Sequence, residues 1–181
     1  MNQPTSAAWN EASQLGSFLA RFQYMFPLVG SDRRRAYVFF RGWMPTFAQM
    51  CEQIDISLGD DKRDFAWARI REKFGAPSLS YQMCGHARHV IHAHRPDQVT
   101  RIVCAPADSF DPSAVEIQEV VLRGEVTLRQ SCIVCGAPSI ITNACGPWSS
   151  LCVEHRTGTF LKGLIGSSVW TAAELREEPV G

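Results

Sequence analysis

No run of about 18 apolar residues occurs in the chain, so no membrane-spanning helix is expected. Surplus charge is missing too. Lysine plus arginine and aspartate plus glutamate number 18 each in 181 residues, for a net charge of zero. That balance argues against a strong nonspecific nucleic-acid binder, which carries a basic excess, and against an acidic mimic of DNA. The opening MNQPTSAAWNEASQ lacks a basic flank followed by an apolar stretch, so no secretory signal is expected. An even cysteine count is also lacking. Seven cysteines do not suit an exported disulfide scaffold, which pairs them all. A cytoplasmic protein is expected, where paired cysteines favour metal over disulfide. Internal repeats and long low-complexity stretches are absent. What remains is an ordinary globular balance, 45% hydrophobic and 20% charged, enough for one domain with a small appendage.

Apolar periodicity predicts an α+β fold, with helices packed on a small antiparallel sheet. Trp9, Leu15, Phe18, Leu19, Phe22 and Phe26 recur at helical spacing over 5–26. AYVFF, 36–40, reads as a strand. A second helix is expected over 44–58, with Pro45 tolerated in its first turn and Phe47, Met50, Cys51, Ile54 and Leu58 on one face. Residues 65–83 alternate on both sides of Gly75 and predict a β-hairpin; a short helix over 65–74 is the competing reading. In the hairpin reading Trp67, Arg69 and Arg71 share one side, and Ala66, Ala68 and Ile70 the other. The stretch 84–98 reads as irregular, and VTRIVCA, 99–105, as another strand. A third helix is expected over 112–130, with Asp111 as N-cap and Pro112 at its first position. These elements make a domain of 1–130. Residues 131–181 form a second unit, with a capping-box pattern from Thr171 to Glu174 opening a last helix.

The chemistry concentrates in CIVCGAPSIITNACGPWSSLCVEHR, 132–156. Cys132 and Cys135 are two residues apart, and Cys152 and His155 repeat that spacing. Zn2+ takes four thiolate or imidazole ligands in a tetrahedron, and such pairs converge on one ion when the chain turns tightly. Gly136 supplies the positive φ such a turn needs. SIIT and WSSLC form the arms of a short hairpin, with NACGP as its turn. Cys152 and His155 then open an apparent helix, where residues three apart share one side and a helix N-terminus favours thiolate. Knuckle, hairpin and helix in that order resemble a treble-clef zinc finger. Four protein ligands leave no open position, so the site reads as structural. A redox pair explains Cys132 and Cys135 but not the second pair. Cys145, in the hairpin turn, is the spare sulfur and an alternative ligand. The arms carry no His, Asp or Glu of a nuclease site, and no His-x-Glu of a zinc deaminase precedes the cysteines.

Two further groups stand out. Cys84, His86, His89, His92 and His94 crowd into eleven residues, with Cys104 beyond. In an extended chain Cys84, His86, His92 and His94 share a parity and suit a second metal; in a solvated loop they do nothing of the kind. A pH-sensitive contact is a third reading. Arg33, Arg34, Arg35, Arg69, Arg71 and Lys73 suggest a basic face, with Trp67 and Tyr81 for stacking on bases. The alternative is a hairpin with a solvated charged side and an aromatic core side.

GWMPTFAQMCEQID, DDKRDFAWARIREKFGAPSLSYQM and CIVCGAP…WSSLCVEHR together resemble a family of small bacterial and prophage-associated proteins with a KEKFG hairpin and a C-terminal zinc knuckle. The resemblance covers roughly 42–83 and 130–156. It departs at REKFG, 71–75, and at APSLSY, where arginine usually follows. It implies a role in host takeover, in inhibiting a defence complex, or in protection from a toxin. Three functions compete. The first is a non-enzymatic, zinc-stabilised module that binds a protein partner through the hairpin and N-terminal helices. The second is a nucleic-acid-binding zinc finger. The third is a metalloenzyme using the His86–His94 cluster.

Overall fold

The computed structural model describes residues 11–27, 37–60, 62, 65–83, 86–95, 98–104, 112–143, 148–156 and 169–171. Helix α1 (Glu11–Arg21) buries Leu15 and runs into a 3-10 turn (Gln23–Met25) that buries Met25. Strand β1 (Val38–Phe40) and a second 3-10 turn (Arg41–Trp43) lead into α2 (Met44–Leu58), whose bounds match the expected ones. Helix α3 (Pro112–Arg129) crosses α2 where Gly124 lies against Met50. Trp9 and the capping residue Asp111 fall outside the described residues.

The main sheet has four antiparallel strands in sequence order: β2 (Phe65–Lys73), β3 (Ala76–Met83), β4 (His86–Arg95) and β5 (Gln98–Cys104). The hairpin over 65–83 is therefore a hairpin, and the competing helix is set aside. Its alternation is broken once. The register slips between Trp67 and Arg69, which lets both Trp67 and Ile70 point into the core. A bulge of this kind moves side chains across the sheet without changing the sequence pattern. Trp67 therefore does not share a face with Arg69, contrary to the simple alternation.

Residues 84–98 were expected to be irregular. Residues 86–95 instead form β4, which pairs Met83 with His86 on one side and Ile91 with Ile102 on the other. The inward position that hides the alternation is Arg88. Its side chain is fully buried and forks onto the Glu125 carboxylate of α3, with Nη2 donating to Oε2 at 2.8 Å and Nη1 to Oε1 at 3.3 Å. Arg88 also donates to the Leu79 carbonyl, and Arg101 of β5 donates to the same Glu125 carboxylate. A buried cation is tolerable only with such a partner.

Between helices and sheet lies an aromatic core. Phe47 of α2 meets Phe18, Phe26, Phe39 and Trp67 at ring distances of 5.4–6.4 Å. Tilted or edge-on rings dominate, as ring quadrupoles prefer. The Tyr37 hydroxyl donates to the Trp67 carbonyl at 2.5 Å, next to a single parallel bridge between Tyr37 and Ile70. The chain after α3 forms a small hairpin, β6 (Ile140–Thr142) and β7 (Ser149–Leu151), then a one-turn helix α4 (Val153–Arg156). A last strand, β8 (Val169–Thr171), returns to pair antiparallel with β1. The rest of the expected terminal helix lies outside the described residues, as does most of the helix expected to follow Cys152. No helix among the described residues is long and apolar enough to cross a membrane.

Candidate metal centre

The chain leaves α3 at Arg129 and makes a tight knuckle. Gly136 adopts φ +79° and its N–H returns to the Cys132 carbonyl at 2.8 Å, while Cys132 N–H donates to the Ala137 carbonyl at 2.8 Å. These bonds turn Cys132 and Cys135 toward one point. β6 and β7 carry the chain to Cys152. The Arg156 N–H then donates to the Cys152 carbonyl at 3.0 Å, closing the turn that puts His155 beside Cys152.

The ligand atoms of Cys132, Cys135, Cys152 and His155 lie within 4.8 Å of one another. Cys135 Sγ and Cys152 Sγ are 3.8 Å apart, far beyond a disulfide bond of about 2.05 Å. His155 Nδ1 is 3.5 Å from Cys132 Sγ and 3.1 Å from Cys152 Sγ. A tetrahedron with metal–sulfur bonds of about 2.3 Å has sulfur–sulfur edges of about 3.8 Å and sulfur–nitrogen edges of about 3.5 Å. The set therefore fits one metal ion. Cys132 and Cys152 are buried, His155 is half-buried and Cys135 is exposed.

The electrostatics point the same way. Although the residue as a whole is exposed, partial desolvation of its sulfur, with the charge of Cys132 close by, pushes the Cys135 thiol up to about 12. At Cys152 burial also opposes the thiolate, but N–H groups of His155 and Glu154 and the neighbouring thiols outweigh it and lower the value. Thiolates packed this closely repel one another, and a bound cation would remove that penalty.

Sequence reasoning missed how the knuckle is seated. Gly42, in the turn before α2, donates to the Ile133 carbonyl at 3.0 Å. A Cβ on Gly42 would stand 2.0 Å from the Cys132 carbonyl oxygen and 2.5 Å from the Gly136 nitrogen. Trp43 Nε1 donates to the Ser131 carbonyl at 3.3 Å. The hydroxyl of buried Ser150 donates to the Gly75 carbonyl at 2.6 Å, with the Arg129 carbonyl a second acceptor within reach at 3.1 Å, tying the small hairpin to the tip of the large one. The only signal in the sequence was the glycine of RGW, which no turn there requires.

Among the described residues, the other candidates are not brought to a metal site. β4 rises about 3.3 Å per residue, so His86 and His92 stand about 20 Å apart and cannot share an ion. His89 is exposed on the opposite face. Among the described residues the Cys132 set is the one cluster of metal-ligand atoms. Cys84, Cys145, Arg33, Arg34 and Arg35 lie outside the described residues, as do the side chains of His86 and His94. Cys104 is exposed. Trp67 and Tyr81 are 1% and 5% exposed, so neither can stack on a base. No family model, curated protein or solved structure matches the chain.

Proposed function

We propose that the chain is a non-enzymatic interaction module whose C-terminal end is held together by Zn2+ and whose partner is a protein. Three thiolates and an imidazole in a tetrahedron suit zinc, and four protein ligands leave no position for substrate. The order of knuckle, hairpin and short helix supports a treble-clef arrangement. Reduced cysteines as ligands suit the cytoplasm.

One observation carries the protein partner. Ile91 and Ile102 face each other across β4 and β5, 51% and 45% exposed, on the sheet face away from α3. β5 is also the edge strand of the main sheet among the described residues. An exposed apolar pair beside an open edge is a template for strand addition by another chain. The resemblance to prophage-associated proteins supports a host partner, with inhibition of a defence complex, immunity to a toxin, or regulation as the roles to separate. Affinity capture by the zinc-loaded chain, with Ile91→Asp and Ile102→Asp as comparators, tests this. A partner held by the native chain and lost from both variants is expected. Retention by both variants sinks the assignment of this surface.

A further inference from the structure

The tip of the β2–β3 hairpin carries a feature that neither metal binding nor the Ile91–Ile102 face uses. The turn has two residues, Phe74 and Gly75, with φ of +56° and +78°. Positive φ at both positions defines the type I′ turn, which favours Asn-Gly. Phe74 is the one non-glycine residue with positive φ among the described residues, and its side chain is 37% exposed. A strained, bulky, partly exposed aromatic is a poor solution for the turn itself. Such strain marks places where a side chain is kept for another purpose.

Phe74 overhangs a cavity of about 220 Å3 between the sheet and the small hairpin. Trp148, 48% exposed, stands at the cavity from the knuckle side, and His92 lies with its ring 6.0 Å from that of Phe74. The charged side chains lining it are Lys73, Arg101 and Arg129, and none is acidic. Arg101 is already committed to Glu125. Lys73 and exposed Arg129 are the cations on hand for an incoming anion. The volume is below the usual range of about 300–1,000 Å3 for a pocket that encloses a whole small ligand. It suits one flat group of a longer polymer.

We propose that this cavity binds single-stranded nucleic acid, taking one base against Phe74 and Trp148 with flanking phosphates on Lys73 and Arg129. Aromatic surface for the base and cations for the backbone are what sequence-tolerant single-strand sites combine. An acidic peptide would use the same cations but has no call for two exposed rings. The site lies on the sheet face opposite Ile91 and Ile102, as the alternation of His92 with Ile91 requires, so it goes beyond the protein-partner reading.

The test is fluorescence anisotropy of labelled oligothymidylate and oligouridylate with the zinc-loaded protein across a salt series. Binding of at least one at low salt is expected, with log K falling against log salt at a slope of about −1.4 for two phosphates. Trp148→Ala and Phe74→Asn should each weaken binding about fivefold or more. Phe74→Asn suits the turn, so its loss of binding cannot come from unfolding, which a melting curve verifies. Lys73→Gln and Arg129→Gln should each flatten the slope by about 0.7. Absence of binding at low salt, or binding indifferent to Phe74→Asn and Trp148→Ala, overturns the proposal. So does equal binding of polyglutamate with the same dependence on the two rings, which would assign the cavity to an acidic peptide.

Discussion

Replacing Glu125 by glutamine keeps the shape of the side chain and removes its charge. The Glu125 carboxylate is 6% exposed and receives Arg88, at 0%, and Arg101, at 29%. Glu125→Gln leaves the Arg88 guanidinium fully buried with no counter-ion, its acceptors reduced to the Leu79 carbonyl and one neutral amide oxygen. Breaking one side of such a pair typically costs about 3–5 kcal/mol. The mirror change, Arg88→Met, is milder. It removes the buried cation and leaves Glu125 with Arg101 at the rim, so a loss of about 1–2 kcal/mol is expected. The double variant Arg88→Met/Glu125→Leu buries no charge, and Arg101 can turn to solvent, so it should recover most of the loss from Glu125→Gln. An exposed pair gives the scale: Arg21–Glu52, at 61% and 46% exposure, contributes at most about 1 kcal/mol. Urea unfolding followed by tryptophan fluorescence measures all three, at one fixed excess of Zn2+ so that metal linkage is common to every variant. If Arg88→Met destabilised more than Glu125→Gln, or Glu125→Gln lost less than about 1 kcal/mol, the account of β4 as a strand anchored by a helix carboxylate would be wrong.

Cys135→Ser should lose the stoichiometric metal and the protection of amides over 130–156, measured by elemental analysis and hydrogen exchange; a structural zinc contributes on the order of 10 kcal/mol of apparent binding energy to folding. Gly42→Ala drives a Cβ into the backbone of Cys132 and Gly136, which cannot yield, and should cost about 2–3 kcal/mol in chemical unfolding and weaken metal retention. Gly124→Ala meets only the Met50 sulfur at 2.5 Å, the far end of a flexible side chain, so its loss in the same assay should be smaller, about 1 kcal/mol. At Asp55, burial raises the carboxyl value, but hydrogen bonds from Lys62 and Tyr24 outweigh it and hold the group below its usual range. A depressed folded value stabilises above the unfolded pKa of about 3.9 and loses that contribution as pH falls through the folded value. The melting-temperature gap between the native chain and Asp55→Asn should therefore be constant near neutrality and shrink below about pH 4.

Legibility in the sequence followed the range of the interaction that decides each feature. α2 was readable to the residue, because Phe47, Met50, Cys51 and Ile54 mark a buried face within one helix. Spacing likewise reports ligand geometry directly, so Cys132, Cys135, Cys152 and His155 were found together in the order expected. β4 was hidden because its inward Arg88 is neutralised by a carboxylate 37 residues away. The slip after Trp67 was hidden because a bulge leaves composition untouched and reverses which side chains are inside. The Gly42 contact was hidden because it joins segments about ninety residues apart, and no local pattern announces a close approach of two backbones.

The pairing of Val38 with Thr171 puts both strand exits at the same end of a three-pair ladder. A pull on the two ends of the chain therefore loads that ladder as a zipper and opens its pairs one after another, instead of shearing them together. The last strand peels first and at low force, while the cluster of Cys132, Cys135, Cys152 and His155 stays outside the line of tension. A motor drawing the polypeptide in from its tail would strip β8 easily and then, with an ion held by the Cys132 set, stall against coordination bonds.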